Sequence, residues 1–129
     1  MPRLLVSGDL EHAPRRLRDW LQSEARKDLG ERCDHHAEQL GLKIRRITVR
    51  DQKSRWGSCS SDGQLSFSWR LILAPPLVLD YVAAHEVAHL AEMNHGPRFW
   101  KLVKKTMPRL EEAKLWLRTK GMNLYRYGA

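Results

Sequence analysis

His85, Glu86 and His89, with His95 further along, are the residues of this chain whose types and spacing could do chemistry. An α-helix advances about 3.6 residues per turn, so His85 and His89 stand one turn apart and nearly in line, and both imidazoles can reach one tetrahedral cation. The pattern H-E-x-x-H on a helix is a zinc-hydrolase signature in which the glutamate lies beside the metal rather than on it. From there Glu86 can take a proton from a water that the metal has made acidic and pass it to a leaving amine. With six histidines among 129 residues, the five-residue pattern should arise by chance in roughly 2 of 100 such chains. The setting argues against chance. From Leu77 to Ala91 the chain reads LVLDYVAAHEVAHLA, almost without a polar face, so this helix should be buried all round. Two imidazoles and a carboxylate are costly there unless a metal or a polar network satisfies them.

The third ligand decides the kind of site. His95 stands just before Gly96-Pro97, where a helix must end and turn. Asn94 tolerates a left-handed conformation and Gly96 adopts one freely, so a bend over Met93 to Gly96 could swing His95 toward the metal. Glu92 is the alternative. It falls on the same helix about 60° around the axis from His89 and suits a supporting carboxylate better than a ligand. Three protein ligands leave a fourth position for water, the catalytic arrangement, whereas four would indicate a structural site.

The elements that must position these residues follow from periodicity. Pro14 to Leu40 carries Leu17, Trp20, Leu21, Cys33, Ala37 and Leu40 at helical spacing, with Gly30 as an interruption and Gly41 as a C-cap. Between Lys43 and Ala74 the period changes to alternation. Ile47 and Val49 alternate with polar neighbours, Ser60-Ser61-Asp62-Gly63 reads as a turn, and Leu65, Phe67 and Trp69 share one face, which together predict a small antiparallel sheet. Pro75-Pro76 opens the metal-bearing helix, Pro97 opens another through about Thr106, and Arg109 to Lys120 forms a last helix closed by Gly121. With 42% hydrophobic residues and five tryptophans, residues 1–129 are expected to form a single domain with a modest core.

Cys33 and Cys59 are two, far apart and without a C-x-x-C partner, so neither a disulfide framework nor a cysteine zinc finger can be built from them. No apolar run approaches the roughly 20 residues needed to span a bilayer, and MPRLLVSGDL lacks a signal-peptide core. A cytoplasmic protein with no membrane contact is expected.

In this order the elements resemble the YgjP-like metallopeptidase domain, a zincin family related to the SprT and WLM groups. The resemblance rests on Asp51-Gln52-Lys53-Ser54-Arg55-Trp56-Gly57-Ser58-Cys59, on Trp69 to Pro75, on Leu79-Asp80-Tyr81-Val82 running into HEVAH, and on Asn94-His95 followed by Phe99-Trp100. It covers roughly Arg15 to Gly121 and is more specific than H-E-x-x-H alone. It implies an α+β zincin-like domain with zinc on His85, His89 and His95, Glu86 as general base, and a peptide or protein as substrate. The sequence departs from the family's usual pattern at Gly96, where Ser is familiar, and at Ser68, where Asn is. Glu92 also occupies the glycine position of the longer metzincin motif, so that clan's turn geometry does not transfer.

Several residues stay open at this point. Arg55 or Ser58 could stabilise an oxyanion near the metal, or the R-W-G-S-C segment could be plain packing, with Gly57 a bulge or close-approach point and Cys59 a core filler. Tyr81, Tyr125 and Tyr127 are further oxyanion donors by type. Strand Gln64 to Trp69 is the candidate edge for an extended substrate. His12, His35 and His36 read as surface residues, the adjacent pair being poorly placed to chelate. Net charge is +8, which admits weak nucleic-acid binding and an alternative role as a DNA-associated protease of the SprT or WLM kind. The basic residues are dispersed, however, and Arg15, Arg16, Arg18, Arg26, Lys27, Arg45, Arg46, Lys104 and Lys105 look like solvated faces. A zinc-stabilised binding module without hydrolysis is the reading from another class, and the intact Glu86 argues against it.

Overall fold

The computed structural model describes residues 14–52 and 55–126. Helix α1 spans Arg15–Leu40, strand β1 Arg46–Arg50, β2 Gly57–Cys59 and β3 Gln64–Ser68; a 3₁₀ helix covers Trp69–Leu73, and α2 Pro76–Ala88, α3 Pro97–Thr106 and α4 Leu110–Arg126 follow. The class is α+β, as expected. His12 and Tyr127 lie outside the described residues, as does the side chain of Tyr125.

Helix α1 buries Leu21, Ala25, Leu29, Cys33, His36 and Ala37, a stripe at spacings of three and four that lies against the rest of the core. Gly30 does not interrupt it. Gly41 caps it in the left-handed region at φ 68°, with Leu42 N–H donating to Ala37 O at 2.9 Å, a Schellman-type ending.

The sheet is mixed, not antiparallel: β3 is central, parallel to β1 and antiparallel to β2. Alternation of side chains reports which face is buried and is the same for both directions, so it carried no information on polarity. The parallel register puts Arg50 opposite Ser68 and so brings the residues after each strand to one end of the sheet. There Arg70, 3% exposed, donates from Nε to Asp51 Oδ1 at 3.0 Å and from Nη2 to Oδ2 at 3.3 Å. This fork locks the ends of β1 and β3 together. Because β3 is paired on both sides it cannot be the edge that accepts a substrate strand, which corrects the expectation for Gln64 to Trp69. Trp69 is not in the strand either. Ser68 accepts the Arg70 N–H on its hydroxyl and starts the 3₁₀ helix, so the extended run stops one residue early.

Helix α2 begins at Pro76, whose missing N–H costs nothing at a first helical position, and its buried residues run all the way around it. At the far end of the chain, Gly121 does not close α4, which continues to Arg126. A Cβ at 121 would lie 3.3 Å from Trp56 Cζ2. The glycine therefore marks where the Trp56 indole packs on the helix. No helix among the described residues is long and apolar enough to cross a membrane, and both cysteines are free.

One polar cluster joins α1 to α2. His36, expected at the surface, is fully buried, and its Nε2 lies 2.6 Å from Asp80 Oδ1. Adjacent helical residues diverge by about 100°, so one of the pair turned inward while His35 stayed exposed. Arg32 adds Nε to Asp80 Oδ1 at 2.7 Å and Nη2 to Oδ2 at 3.2 Å. Burial works to raise the Asp80 pKa, but the hydrogen bonds and charge of His36 and Arg32 outweigh it and hold the carboxyl below its ordinary value. Asp80→Ala should cost about 2–4 kcal/mol of folding free energy, because it strands both partners. Urea denaturation checks this, and a loss below about 0.5 kcal/mol, the level of an ordinary surface substitution, would show the cluster to be dispensable.

Candidate metal centre

His85 lies in the last turn of α2 and His89 is its C-cap. After Ala88 the helix tightens, with Leu90 N–H donating to Val87 O at 2.9 Å and Ala91 N–H to Ala88 O at 3.1 Å. The chain then bends through residues 92–96 and returns His95 to the same face. No left-handed residue is used. Gly96 sits at φ −88°, and among the described residues only Gly41 and Gly63 have positive φ. The bend comes instead from the tightened helix end, which corrects the expectation for Asn94 and Gly96.

The three imidazoles converge. His95 Nε2 lies 3.0 Å from His89 Nε2 and 3.3 Å from His85 Nε2, and ligand atoms of the three all fall within 4.8 Å of one another. Nitrogens about 2.1 Å from a tetrahedral Zn²⁺ are about 3.4 Å apart, so this spacing fits one small divalent cation. Glu92 contributes through its backbone only, its carbonyl accepting from His89 Nδ1 at 2.9 Å. Burial first, then the charges of His89, His95 and Lys114, push His85 down to about 3. The ring is thus neutral and has a lone pair to give.

Glu86 is 6% exposed. Burial pushes its carboxyl up to about 7, while the charge of Arg55 pulls it down. A Cβ on Gly57 would stand 3.0 Å from Glu86 Cγ and 3.2 Å from Oε2. The R-W-G-S-C segment therefore wraps the carboxylate: Arg55 supplies charge and Gly57 supplies room. Cys59 is half-buried, and burial, followed by the charges of Glu86 and Asp62, pushes its thiol up to about 11. It is a protonated thiol in strand β2, not a reactive one.

The sequence reading did not assign four neighbours to the site. Phe99 stacks on His89 with centroids 4.4 Å apart and meets His85 and His95 edge-on, each at 4.9 Å. Trp100 flanks His85 at 5.8 Å and His95 at 6.0 Å, and Lys114 Nζ stands 4.3 Å over its ring. The backbone carbonyl of Glu92 is the fourth. Phe99 and Trp100 follow His95 closely enough to suspect, whereas Lys114 comes from another helix and left no local signal. Tyr81, named as an oxyanion donor, is 5% exposed with its hydroxyl 3.2 Å from His85 Nδ1. Its hydroxyl is already engaged by a histidine.

An α+β fold with three histidines converging at the end of one buried helix defines a candidate metal-binding class of protein. The model of the YgjP-like metallopeptidase domain matches residues 3–120, and the chain belongs to that family. Membership implies a divalent metal, which His85, His89 and His95 could hold. Among solved structures, the chain is similar to the metallopeptidase zymogen of Pyrococcus abyssi abylysin. That match has 21% identity and a TM-score of 0.62, and covers 71% of this chain and 95% of that one. It bears on the fold alone. No curated protein matches the chain.

The Glu86 shift has a sign that can be tested on metal-free protein. Its folded pKa is raised, so the stability it contributes is present below its ordinary value of 4.5 and lost as pH rises through about 7. The stability of Glu86→Gln relative to wild type should therefore grow by about 3 kcal/mol between pH 4.5 and 8. Denaturant titrations at both pH values measure this, and a gap that ignores pH would contradict the buried carboxylate.

Proposed function

We propose that this chain is a zinc-dependent peptidase that hydrolyses peptide bonds in peptide or protein substrates. The observation that carries the reading is the convergence of three imidazole nitrogens at 3.0 and 3.3 Å beside the buried Glu86, which shares a helix with His85. His85, His89 and His95 would hold the ion, and Zn²⁺ at such a centre supplies Lewis acidity that acidifies water and polarises the scissile carbonyl. Glu86 is the general base. It accepts the proton of the attacking water and delivers it to the departing amine, and a carboxyl drawn up toward neutrality is matched to both transfers.

The substrate rail is β2 rather than β3. Ser68 N–H donates to Trp56 O and Ser60 N–H to Gln64 O, each at 2.9 Å, so Trp56, Ser58 and Ser60 turn their backbone groups toward β3. Gly57 and Cys59 then direct theirs to the outer edge, next to Glu86. An extended peptide that pairs there receives main-chain hydrogen bonds with little side-chain selection.

A second reading, action on proteins held at nucleic acid, draws on α3. Arg98, Lys101, Lys104 and Lys105 are exposed on it, the helix has no acidic residue, and none of the four forms an ion pair among the described residues. Binding to duplex DNA that weakens steeply with salt, whatever its sequence, would support it.

Purified protein should carry one zinc per chain, and His95→Ala should lose it. Glu86→Gln should keep the metal and lose cleavage of a mixed peptide library by a factor of about 10² to 10⁴. Zinc retained by His95→Ala, or full cleavage by Glu86→Gln, would remove the assignment. Gly57→Ala should lower kcat/KM by about 10²-fold with metal content unchanged, because the added methyl displaces the base. Unchanged kinetics would mean that Glu86 accommodates the methyl without moving from its working position.

A further inference from the structure

We infer that Tyr81 is the positioning residue of the centre, its phenol oxygen accepting the Nδ1 proton of His85 and so turning the Nε2 lone pair toward the ion. This rests on the metal-site reading above. Tyr81 precedes His85 by one helical turn, is 5% exposed, and meets the imidazole edge-on at 5.7 Å with an interplanar angle of 74°. Its hydroxyl lies 3.2 Å from His85 Nδ1, while the opposite nitrogen, Nε2, faces His95 at 3.3 Å.

The chemistry of neutral imidazole makes this contact decisive. One ring nitrogen carries the proton and the other carries the lone pair, and a partner on the first selects the second as ligand. For His89 the choice is made by the backbone. Glu92 O is a carbonyl and can only accept, so His89 Nδ1 bears the hydrogen and Nε2 is the donor to a metal. For His85 a side chain makes the choice. A phenol can accept or donate, and only its accepting form leaves Nε2 unprotonated. Tyr81 is therefore where a substitution can disturb the tautomer of a ligand without touching any ligand.

Tyr81→Phe keeps the ring and removes the acceptor. Zinc affinity would be read by competition with a chromophoric chelator, alongside the visible spectrum of the Co²⁺ form and the melting temperature of metal-free protein. The variant should bind zinc about 10- to 100-fold more weakly and show altered Co²⁺ bands, with the metal-free melting temperature unchanged. Affinity and Co²⁺ spectrum equal to wild type would overturn the inference, as would a fall in metal-free melting temperature alone, which would make Tyr81 a packing residue. His85→Ala separates the two readings. If it abolishes binding while Tyr81→Phe does not, only the role of Tyr81 falls; if it leaves binding intact, the metal site itself falls with it.

Discussion

Two imidazoles and a carboxylate are held at the end of a helix that, Asp80 apart, is almost wholly apolar and buried, and this constraint governs the rest of the structure. Burial opposes charge, and it drives the two kinds of group in opposite directions on the pH scale: Glu86 up to about 7 and His85 down to about 3. Each is pressed toward its neutral form. For the imidazoles that form is also the ligating one, so the burial that would destabilise an ornamental histidine cluster prepares this one for a cation. For the glutamate the result is a carboxyl drawn up toward neutral pH.

A helix that carries such groups must be fixed from both ends and both faces. Toward its start, Asp80 is gripped by Arg32 and His36 from α1; within the helix, His85 leans on Tyr81 one turn before it; at its end, His89 is held by the carbonyl of Glu92, where the chain begins to turn. The face bearing Glu86 is approached by β2, near enough that a Cβ on Gly57 would stand only 3.0 Å from Glu86 Cγ. A parallel β1–β3 pair sets where β2 can run. The Asp51–Arg70 fork pins that pair, so an ion pair at the sheet's end contributes to the surroundings of Glu86.

Much of this was legible in the sequence because it is local. The spacing of His85 and His89, the apolar run around them, Pro76 and Pro97 as helix starts and Gly41 as a cap are decided by neighbours in the chain, and the structure has each. What was not legible depends on direction or on distant partners. Alternation could not tell parallel from antiparallel, so β3 looked like an edge when it is the centre. His36 could not be told from His35 without knowing that Asp80 would face it. Gly121 read as a stop because glycine commonly ends helices, yet its reason is an indole some 65 positions earlier, Trp56. The R-W-G-S-C segment was divided between catalysis and packing, and the structure shows the close approach of Gly57 to Glu86 and the charge of Arg55 acting on that carboxyl.

The three histidines are not equivalent, and the difference shows how the centre is completed. His85 and His89 sit at the end of one helix with their Nδ1 atoms engaged, whereas His95 is exposed and reaches the site from a bend whose Gly96 has open space around it. What places His95 is the helix that follows. Pro97 starts α3 immediately after the bend, and Phe99, fully buried, touches all three imidazoles. Docking of α3 therefore carries His95 to the other two, and the aromatic ring that drives the docking is also the floor of the site. The third histidine is thus set by tertiary packing rather than by helix periodicity, which is why its distance along the chain from His89 is free of the four-residue spacing that relates His85 and His89.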